Sequence, residues 1–488
     1  MGASATGAFD GYDPGPYVCE MTRVAEAEGA FGRTIRDRFA AVPVPELRAR
    51  ARDAEGELFS QGITFTVYSD KDAIDRILPF DVIPRVIGAS DWDVIEAGIC
   101  QRVRALNLFL ADVYGPQRCL AEGVLPPELV LANANYRPEM RGVELRHGTY
   151  VHVAGTDLVR DGEGRFRVLE DNARTPSGVS YVVENRHLML RSFPDMMRGL
   201  PVRPVSDYGR RLHEALSDVA PAGVADPQVV LLSPGVFNSA YFEHVFLARE
   251  MGVPLVEGRD LAVENDRVYM RTVAGPVRVD VIYRRIDDDF LDPDVFRPES
   301  ILGVPGVVAA CRKGTVTLAN AVGTGVCDDK AVYAYVPRLI RFFLDQDPIL
   351  DNVETWICRE PDHLAYTLDR LAELVVKPVG ASGGYGITIG PRSTRAELEA
   401  CRERLLADPA NYISQPVIGL SVAPTLVDGG IEPRHVDLRP FAVTGQKTWV
   451  LPGGLTRVAL RKGSLIVNSS QGGGSKDTWV LAGEGAAA

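Results

Sequence analysis

Asp157, Glu170 and Asn172 are the residues whose types and spacing most directly suggest chemistry. Two short apolar segments, around Leu158-Val159 and Phe166-Leu169, flank the turn Asp161-Gly162-Glu163-Gly164, which predicts a β-hairpin. Side chains alternate along a strand, so Glu170 and Asn172 share a face, Asp171 points the other way, and Asp157 can meet the first two from the neighbouring strand. Two carboxylates and an amide make a set of hard oxygens, the kind that holds Mg²⁺ accompanying a nucleotide. A solvated hairpin with charges on its open face is the plain alternative, and the rest of the chain must weigh between them.

A second stretch points the same way. Leu374-Val375-Val376-Lys377-Pro378 reads as a strand that runs into Gly380-Ala381-Ser382-Gly383-Gly384-Tyr385-Gly386 and then a second strand over 387–389. Backbone amides of such a loop can close over phosphates and a lysine at the strand edge can neutralise them, whereas a flexible tip with a solvated lysine is the bland reading. Pro176-Ser177-Gly178 precedes a helix predicted over 182–191, whose N-terminus offers N–H groups to an anion, or else only a serine cap. Asp328-Asp329-Lys330 before a helix predicted over 331–343 looks like a Walker loop only superficially, because Asp329 stands where that loop has glycine. In His435-Val436-Asp437-Leu438-Arg439-Pro440-Phe441, alternation places Asp437 and Arg439 on one face.

The elements that must position these residues follow from composition and periodicity. With 488 residues and 46% hydrophobic content, the chain can bury a large core divided into two to four packed units. A net charge of −12 argues against a nucleic-acid groove or an anionic membrane as main partner, since both need a clustered positive field. Seven scattered cysteines show no CxxC pair, so neither zinc nor a disulfide framework is indicated and a reducing cytoplasm fits best. No apolar run approaches the roughly 18 residues of a membrane span. Met1-Gly2 with Thr6 matches a myristoylation pattern that we read as chance.

In chain order, residues 1–18 read as disordered and 19–55 as peripheral helices. A strand at 63–68 is followed by a helix over 92–114 with Ile95, Ile99, Val103, Leu106 and Leu110 at core spacing. Residues 192–226 read as a linker with one helix. From Gln228 the pattern changes to Val229-Val230-Leu231-Leu232, a helix over 242–251, and strands at 254–256 and 279–283, the βαβ order of a parallel sheet. Its first loop, Ser233-Pro234-Gly235-Val236-Phe237-Asn238, lacks the GxGxxG fingerprint, which argues against a dinucleotide cofactor. Another unit is expected to start at Thr317, with strands over 451–460 and 464–468 and a closing Gly-rich loop, Ser469 to Trp479, that could hold an anion.

The strand-Lys-Pro with its Gly-rich loop, the extended segment Tyr412-Ile413-Ser414-Gln415-Pro416-Val417-Ile418 and the D…ExN hairpin together resemble the nucleotide site of the ATP-grasp family. The spacing of Asp157, Glu170 and Asn172 is similar to that of D-alanine:D-alanine ligases. In ordinary ATP-grasp enzymes the metal hairpin comes last, and here it comes first. That order resembles the circularly permuted ATP-grasp proteins, a group that includes the synthetase half of glutathionylspermidine synthase. Segments 169–186, 451–457 and 468–479 look most like the type 2 branch, and the likeness runs over residues 60–480.

The resemblance implies an α/β (α+β) chain with a circularly permuted ATP-grasp fold and an inserted Rossmann-like pre-ATP-grasp βαβ domain. It divides the chain into a tail and peripheral helices (1–58), the permuted catalytic part with the Mg-binding hairpin (59–200), the βαβ domain (226–315) and the nucleotide-binding lobes (316–480), whose lid spans 374–418. Carried over residue by residue, Lys330 and Lys377 would contact phosphates, Gly383, Gly384 and Gly386 would form the mobile loop, and Gln415 and Val417 would flank adenine. Asp157, Glu170 and Asn172 would hold Mg²⁺. Where D-alanine ligases carry an arginine two residues before the metal aspartate, this chain has Gly155, so Arg439, Arg174 or Arg457 would stabilise the phosphoryl group. From their own chemistry, apart from the resemblance, Ser177 and Gly178 at the helix N-terminus and the cation Lys476 are expected to bind an acidic substrate.

The implied activity is an ADP-forming carboxylate–amine ligation through an acyl phosphate, with ATP and Mg²⁺ as cofactors. Its partners would be small-molecule or peptide carboxylate and amine substrates and enzymes of the same pathway, with no nucleic acid and no membrane. A phosphotransferase of the same fold and an ATP-binding module without turnover are the rival readings.

Overall fold

The computed structural model describes residues 8–68, 73–380, 386–465, 467 and 472–483. At its centre is a ten-stranded sheet whose main path runs Asp351–Asn352, Phe166–Asn172, Val153–Arg160, Gly430–Arg439, Leu455–Val458, Gly474–Val480 and Phe80–Ile87. The two strands of the acidic hairpin thus lie beside a strand from the far end of the chain. Helix Ala89–Val113 packs on this sheet with Ile95, Ile99, Val103, Leu106 and Leu110 all 1% exposed or less, as its 3.6-residue spacing predicts.

The βαβ pattern forms a four-stranded parallel sheet in the order Thr317–Ala319, Val281–Arg284, Val229–Leu232, Leu255–Val256, with helix Tyr241–Met251 following the third of these. Its strands read as unbroken apolar runs because both faces are covered: Val230 and Leu232 join one hydrophobic core while Val229 and Leu231 join the other. Thr317 to Ala319 therefore completes this sheet and does not begin the next unit. Asn320, directly after it, fastens the sheet to the hairpin. Its Oδ1 accepts the N–H groups of His152 and Val153, both at 2.7 Å, and its Nδ2 donates to the carbonyls of Val153 and Ala173 at 2.7 and 2.8 Å.

A smaller lobe, 356–416, carries the antiparallel sheet Trp356–Ile357, Tyr412–Pro416, Leu374–Pro378, Thr388–Ile389. It has its own core of Cys358, Leu371, Val376, Cys401 and Leu405. Two segments, 353–355 and 417–421, join it to the central sheet. Gly386 ends its Gly-rich loop at φ +72°, with no room for a Cβ beside the Pro378 ring.

Four expectations are corrected. The N-terminal helices are not peripheral: Ala8, Ile35 and Phe39 lie in a main core, and buried Glu20 binds Arg85 at 2.7 Å and Arg160 at 2.9 Å. The helix expected over 331–343 divides into Lys330–Tyr333 and Val336–Leu344, since Pro337 suits only the first turn of a new helix. Of the strand expected over 451–460 only Leu455–Val458 forms, and Ser464, Leu465 and Val467 lie in no strand. The closing Gly-rich segment, from Gly474 on, is a core strand, because Thr478, Trp479 and Val480 are apolar or paired residues seated against Phe80–Ile87. Its start, residues 468–471, lies outside the described residues.

Candidate active site

The hairpin register sets Asp157 directly opposite Glu170, and Gly155 opposite Asn172. Asp171 faces away, as alternation requires. On the other side of Val153–Arg160, strand Gly430–Arg439 pairs with Leu455–Val458 so that Asp437 is opposite Arg457. Two arginines thereby converge on one carboxylate. Arg439 donates through Nη2 to Asp157 Oδ2 at 2.8 Å and through Nε to Oδ1, while Arg457 Nη2 donates to Oδ2 at 2.6 Å. Arg457 Nε also donates to Asp437 Oδ1 at 2.9 Å. Burial opposes ionisation of Asp157, but Arg439 and Arg457 outweigh it and hold the acid below the ordinary carboxylate range.

Glu170 is more open and is the meeting point of the cations. Lys330 Nζ stands 3.7 Å from its Oε2 and Arg439 Nη2 3.7 Å from its Oε1. Burial and the facing Asp157 push its pKa up, against the pull of Lys330, Arg439 and Lys377. Lys330 is positioned by Asp329, whose carboxylate caps the helix Lys330–Tyr333 by accepting from Ala331 N–H at 2.7 Å. Lys377 comes from the small lobe. Its Nζ donates to Gln415 Oε1 at 2.7 Å, and Gln415 Nε2 donates to Thr355 Oγ1 at 2.9 Å. Burial pushes Lys377 down to about 8, with Lys330 acting in the same sense and Glu170 opposing.

The structure therefore brings Asp157, Glu170, Lys330, Lys377, Arg439 and Arg457 into one electrostatic field. Arg174 stands at its edge, with Nε 3.5 Å from Asp287 and 3.8 Å from Asp328. Gln415 is buried with its amide engaged inside the protein, and half-buried Val417 lies where the chain leaves the small lobe. Gly383 and Gly384 lie outside the described residues.

Three substrate-binding expectations are corrected. Lys476 lies opposite Thr456 while Arg457 lies opposite Ser475, so its side chain points to the other face of the sheet. There it is buried, donating to Asp81 Oδ1 and to the carbonyls of Ile83 and Pro424 at 2.5, 3.1 and 2.9 Å. The anion at the N-terminus of helix Val179–Ser192 is internal: Glu243 Oε2 accepts from Gly178 N at 2.7 Å and from Ser180 N and Oγ at 3.2 and 3.0 Å. Ser177 Oγ is taken by Arg285 Nη2 at 2.7 Å.

For Mg²⁺ the donor chemistry fits in part. Glu170 has a half-open carboxylate crowded by a second acid, and Asn172, whose Nδ2 donates to Gly155 O at 3.2 Å, keeps its Oδ1 for another partner. Asp157 departs from the expectation, since both its oxygens are held by guanidinium groups. Among the described residues no three His, Cys, Asp or Glu side chains stand close enough together to hold a metal ion.

Asp328 was not singled out beforehand. Its Oδ1 accepts from Ala173 N–H at 2.6 Å, and burial, with Glu170 and Asp171 adding to it, pushes it up to about 7. The only signal was its place in Asp328-Asp329-Lys330.

Known proteins resemble this chain along most of its length. The family model described as circularly permuted ATP-grasp type 2 matches residues 84–459. An uncharacterised protein of Synechocystis sp. is 50% identical over 97% of this chain and 98% of its own length. An uncharacterised protein of Mycobacterium tuberculosis is 51% identical over 98% of this chain and 87% of its own. A Frankia alni protein provisionally named glutamate–cysteine ligase 2-3 is 46% identical over 89% of this chain, which spans 50% of that protein's length. Among solved structures, a glutathione synthetase-like effector from Globodera pallida covers 90% of this chain with TM-score 0.55 at 11% identity, a likeness of fold alone. No helix among the described residues is long and apolar enough to cross a membrane.

Proposed function

The chain belongs to the circularly permuted type 2 ATP-grasp family, and on that premise we propose that it is an ATP-dependent carboxylate–amine ligase that forms an amide through an acyl phosphate. The observation that carries the reading is the convergence of Lys330, Arg439 and, across the lobe boundary, Lys377 on the half-open carboxylate of Glu170. The name of the Frankia protein adds little, because this chain matches only half of it.

In the proposed reaction an oxygen of the substrate carboxylate attacks the γ-phosphorus of ATP and ADP leaves. The amine nitrogen then attacks the acyl carbon, inorganic phosphate leaves, and the amine gives up a proton. Lys330 and Lys377 neutralise phosphate oxygens, and Arg439, aligned by Asp157, faces the group in transfer. Glu170 and Asn172 would hold Mg²⁺; for Asp157 to join them it must give up a guanidinium. The metal would supply charge neutralisation on the phosphoryl oxygens. Closure of the small lobe excludes the water that would otherwise hydrolyse the acyl phosphate.

The test is an ADP-release screen with amino acids and polyamines in pairs, followed by mass detection of the condensed product. Release that requires both substrates, with an amide product, supports the ligase. Amine-independent release with a stable phosphorylated product identifies a phosphotransferase, and binding of ATP without any release identifies a non-catalytic module.

A further inference from the structure

The face of the hairpin turned away from the site carries its own arrangement. Asp171 lies between Glu170 and Asn172 on Phe166–Asn172 but points into the protein, where Arg102 of helix Ala89–Val113 grips both its oxygens. Arg102 Nε donates to Oδ1 and Nη2 to Oδ2, each at 2.7 Å, and the two side chains are 1% and 3% exposed. The third branch of the guanidinium, Nη1, donates to Asn352 Oδ1 at 2.8 Å.

Asn352 belongs to the short strand Asp351–Asn352, which pairs with Arg167 and Val168 immediately before the chain crosses into the small lobe. Its Nδ2 donates to Tyr333 O at 2.9 Å, and the Arg102 guanidinium lies 5.4 Å from the centre of the Tyr333 ring. Tyr333 OH donates to Val168 O at 2.6 Å, and Val353 N–H donates to the same oxygen at 2.8 Å. Two residues on, Thr355 Oγ1 accepts from Gln415, which holds Lys377. A line of short bonds thus runs from the back of the Glu170 strand to the lysine that faces Glu170 from the other lobe. The second crossing is held separately, by Ser421 N–H on Arg160 O at 3.0 Å and Ser421 Oγ on Glu20 Oε1 at 2.8 Å.

We infer that Arg102 and Asp171 are positioning residues: the pair clamps the first crossing segment to the reverse side of the strand bearing Glu170 and so sets where Lys377 stands relative to that carboxylate. Only a guanidinium can do this, because a planar fork binds the carboxylate with two N–H groups while a third reaches Asn352; a lysine ammonium has neither the plane nor the span. The functional half of the inference rests on the nucleotide reading above, whereas the clamp itself is a property of the free chain.

The test measures both halves on the full chain. Hydrogen exchange is followed in the ligand-free protein for peptides spanning 350–356, and affinity is measured for a non-hydrolysable ATP analogue with Mg²⁺. The variants are Arg102→Lys and Asn352→Leu, the latter at a half-buried sheet edge and leaving the Arg102–Asp171 pair intact should the former fold poorly. Asp81→Asn, which breaks a distant buried ion pair, controls for general destabilisation. At least tenfold faster exchange at 350–356 in either hinge variant but not in Asp81→Asn, with analogue affinity lowered at least tenfold, is the expected result. Wild-type exchange in both hinge variants, equal acceleration in Asp81→Asn, or faster exchange with unchanged affinity overturns the inference. If the wild-type protein itself does not bind the analogue, the nucleotide reading falls and the exchange data alone decide the clamp.

Discussion

Glu243 accepts the backbone N–H of Gly178 at 2.7 Å, so that a carboxylate from the parallel-sheet unit closes the helix N-terminus that leads out of the acidic hairpin. Its other oxygen accepts from Arg285 Nη2 at 2.9 Å, and Arg285 in turn holds Ser177. The anion site expected at Ser177 and Gly178 is thus an inter-unit joint. Glu243→Ala leaves Arg285 buried without its partner and the helix uncapped, and is expected to lower stability by about 3 kcal/mol. A denaturant midpoint equal to wild type would contradict the joint.

Glu170→Gln removes the charge on which the lysines and Arg439 converge while preserving shape. ADP release is expected to fall by about 10³-fold with little change in unfolding temperature, since the side chain is only partly buried and makes no structural ion pair shorter than 3.7 Å. Wild-type turnover in this variant would remove Glu170 from the reaction.

Asn320→Ala deletes five hydrogen bonds that join the parallel sheet to the hairpin and its exit, and leaves backbone groups of His152, Val153, Ala173 and Arg174 without them. The expected loss is on the order of 3 kcal/mol, read as a lower denaturant midpoint. Ionised, Asn320→Asp can accept but not donate and sets its charge against the carbonyls of Val153 and Ala173; only when protonated does it supply one O–H donor, so its denaturant midpoint is expected to exceed that of the alanine variant only at low pH.

Two buried histidines are expected to make the fold lose stability in acid. Burial, with Arg284 adding to it, lowers His152 to about 3, and burial, with Arg285 adding to it, lowers His244 to about 2. Both are thus neutral in the folded chain while the unfolded chain takes up protons below about pH 6.5. Their contribution to stability is complete above that pH and is lost as pH falls toward the folded values; at pH 5 the loss is about 2 kcal/mol for each. His152 is buried, and the Tyr150 backbone that would favour its protonated ring does not offset that burial, so His152→Met is expected to flatten the slope of stability against pH between 6.5 and 4. An unchanged slope would exclude its role.

The acidic hairpin and the parallel sheet were each legible in the chain because both depend on short-range rules, whereas the Asn320 joint between them was not. Alternation along a strand puts Glu170 and Asn172 together and Asp171 behind them, and unbroken apolar runs such as Val229 to Leu232 announce strands covered on both faces. Family likeness extended that reading to Lys330 and Lys377. The end of the chain misled for the opposite reason: glycines and serines in 469–475 have the composition of a loop, yet from Gly474 the backbone completes a central sheet, where the partner strand Phe80–Ile87 decides the outcome.

By itself the sequence determined the acidic hairpin and the strands of the parallel sheet, which faces their side chains take and which oxygens can share a site, because these follow from local geometry and from covering apolar surface. Only the tertiary structure decided which charges are spent on holding the protein together. Lys476 pairs with Asp81, Glu243 closes the helix at Gly178, and Asp157 takes up two arginines. The partners lie 282 residues apart for Asp157 and Arg439 and 395 for Asp81 and Lys476, and no local rule specifies which distant carboxylate meets a cation once both leave water. A buried charge must find a partner, and the packing of the whole chain chooses it.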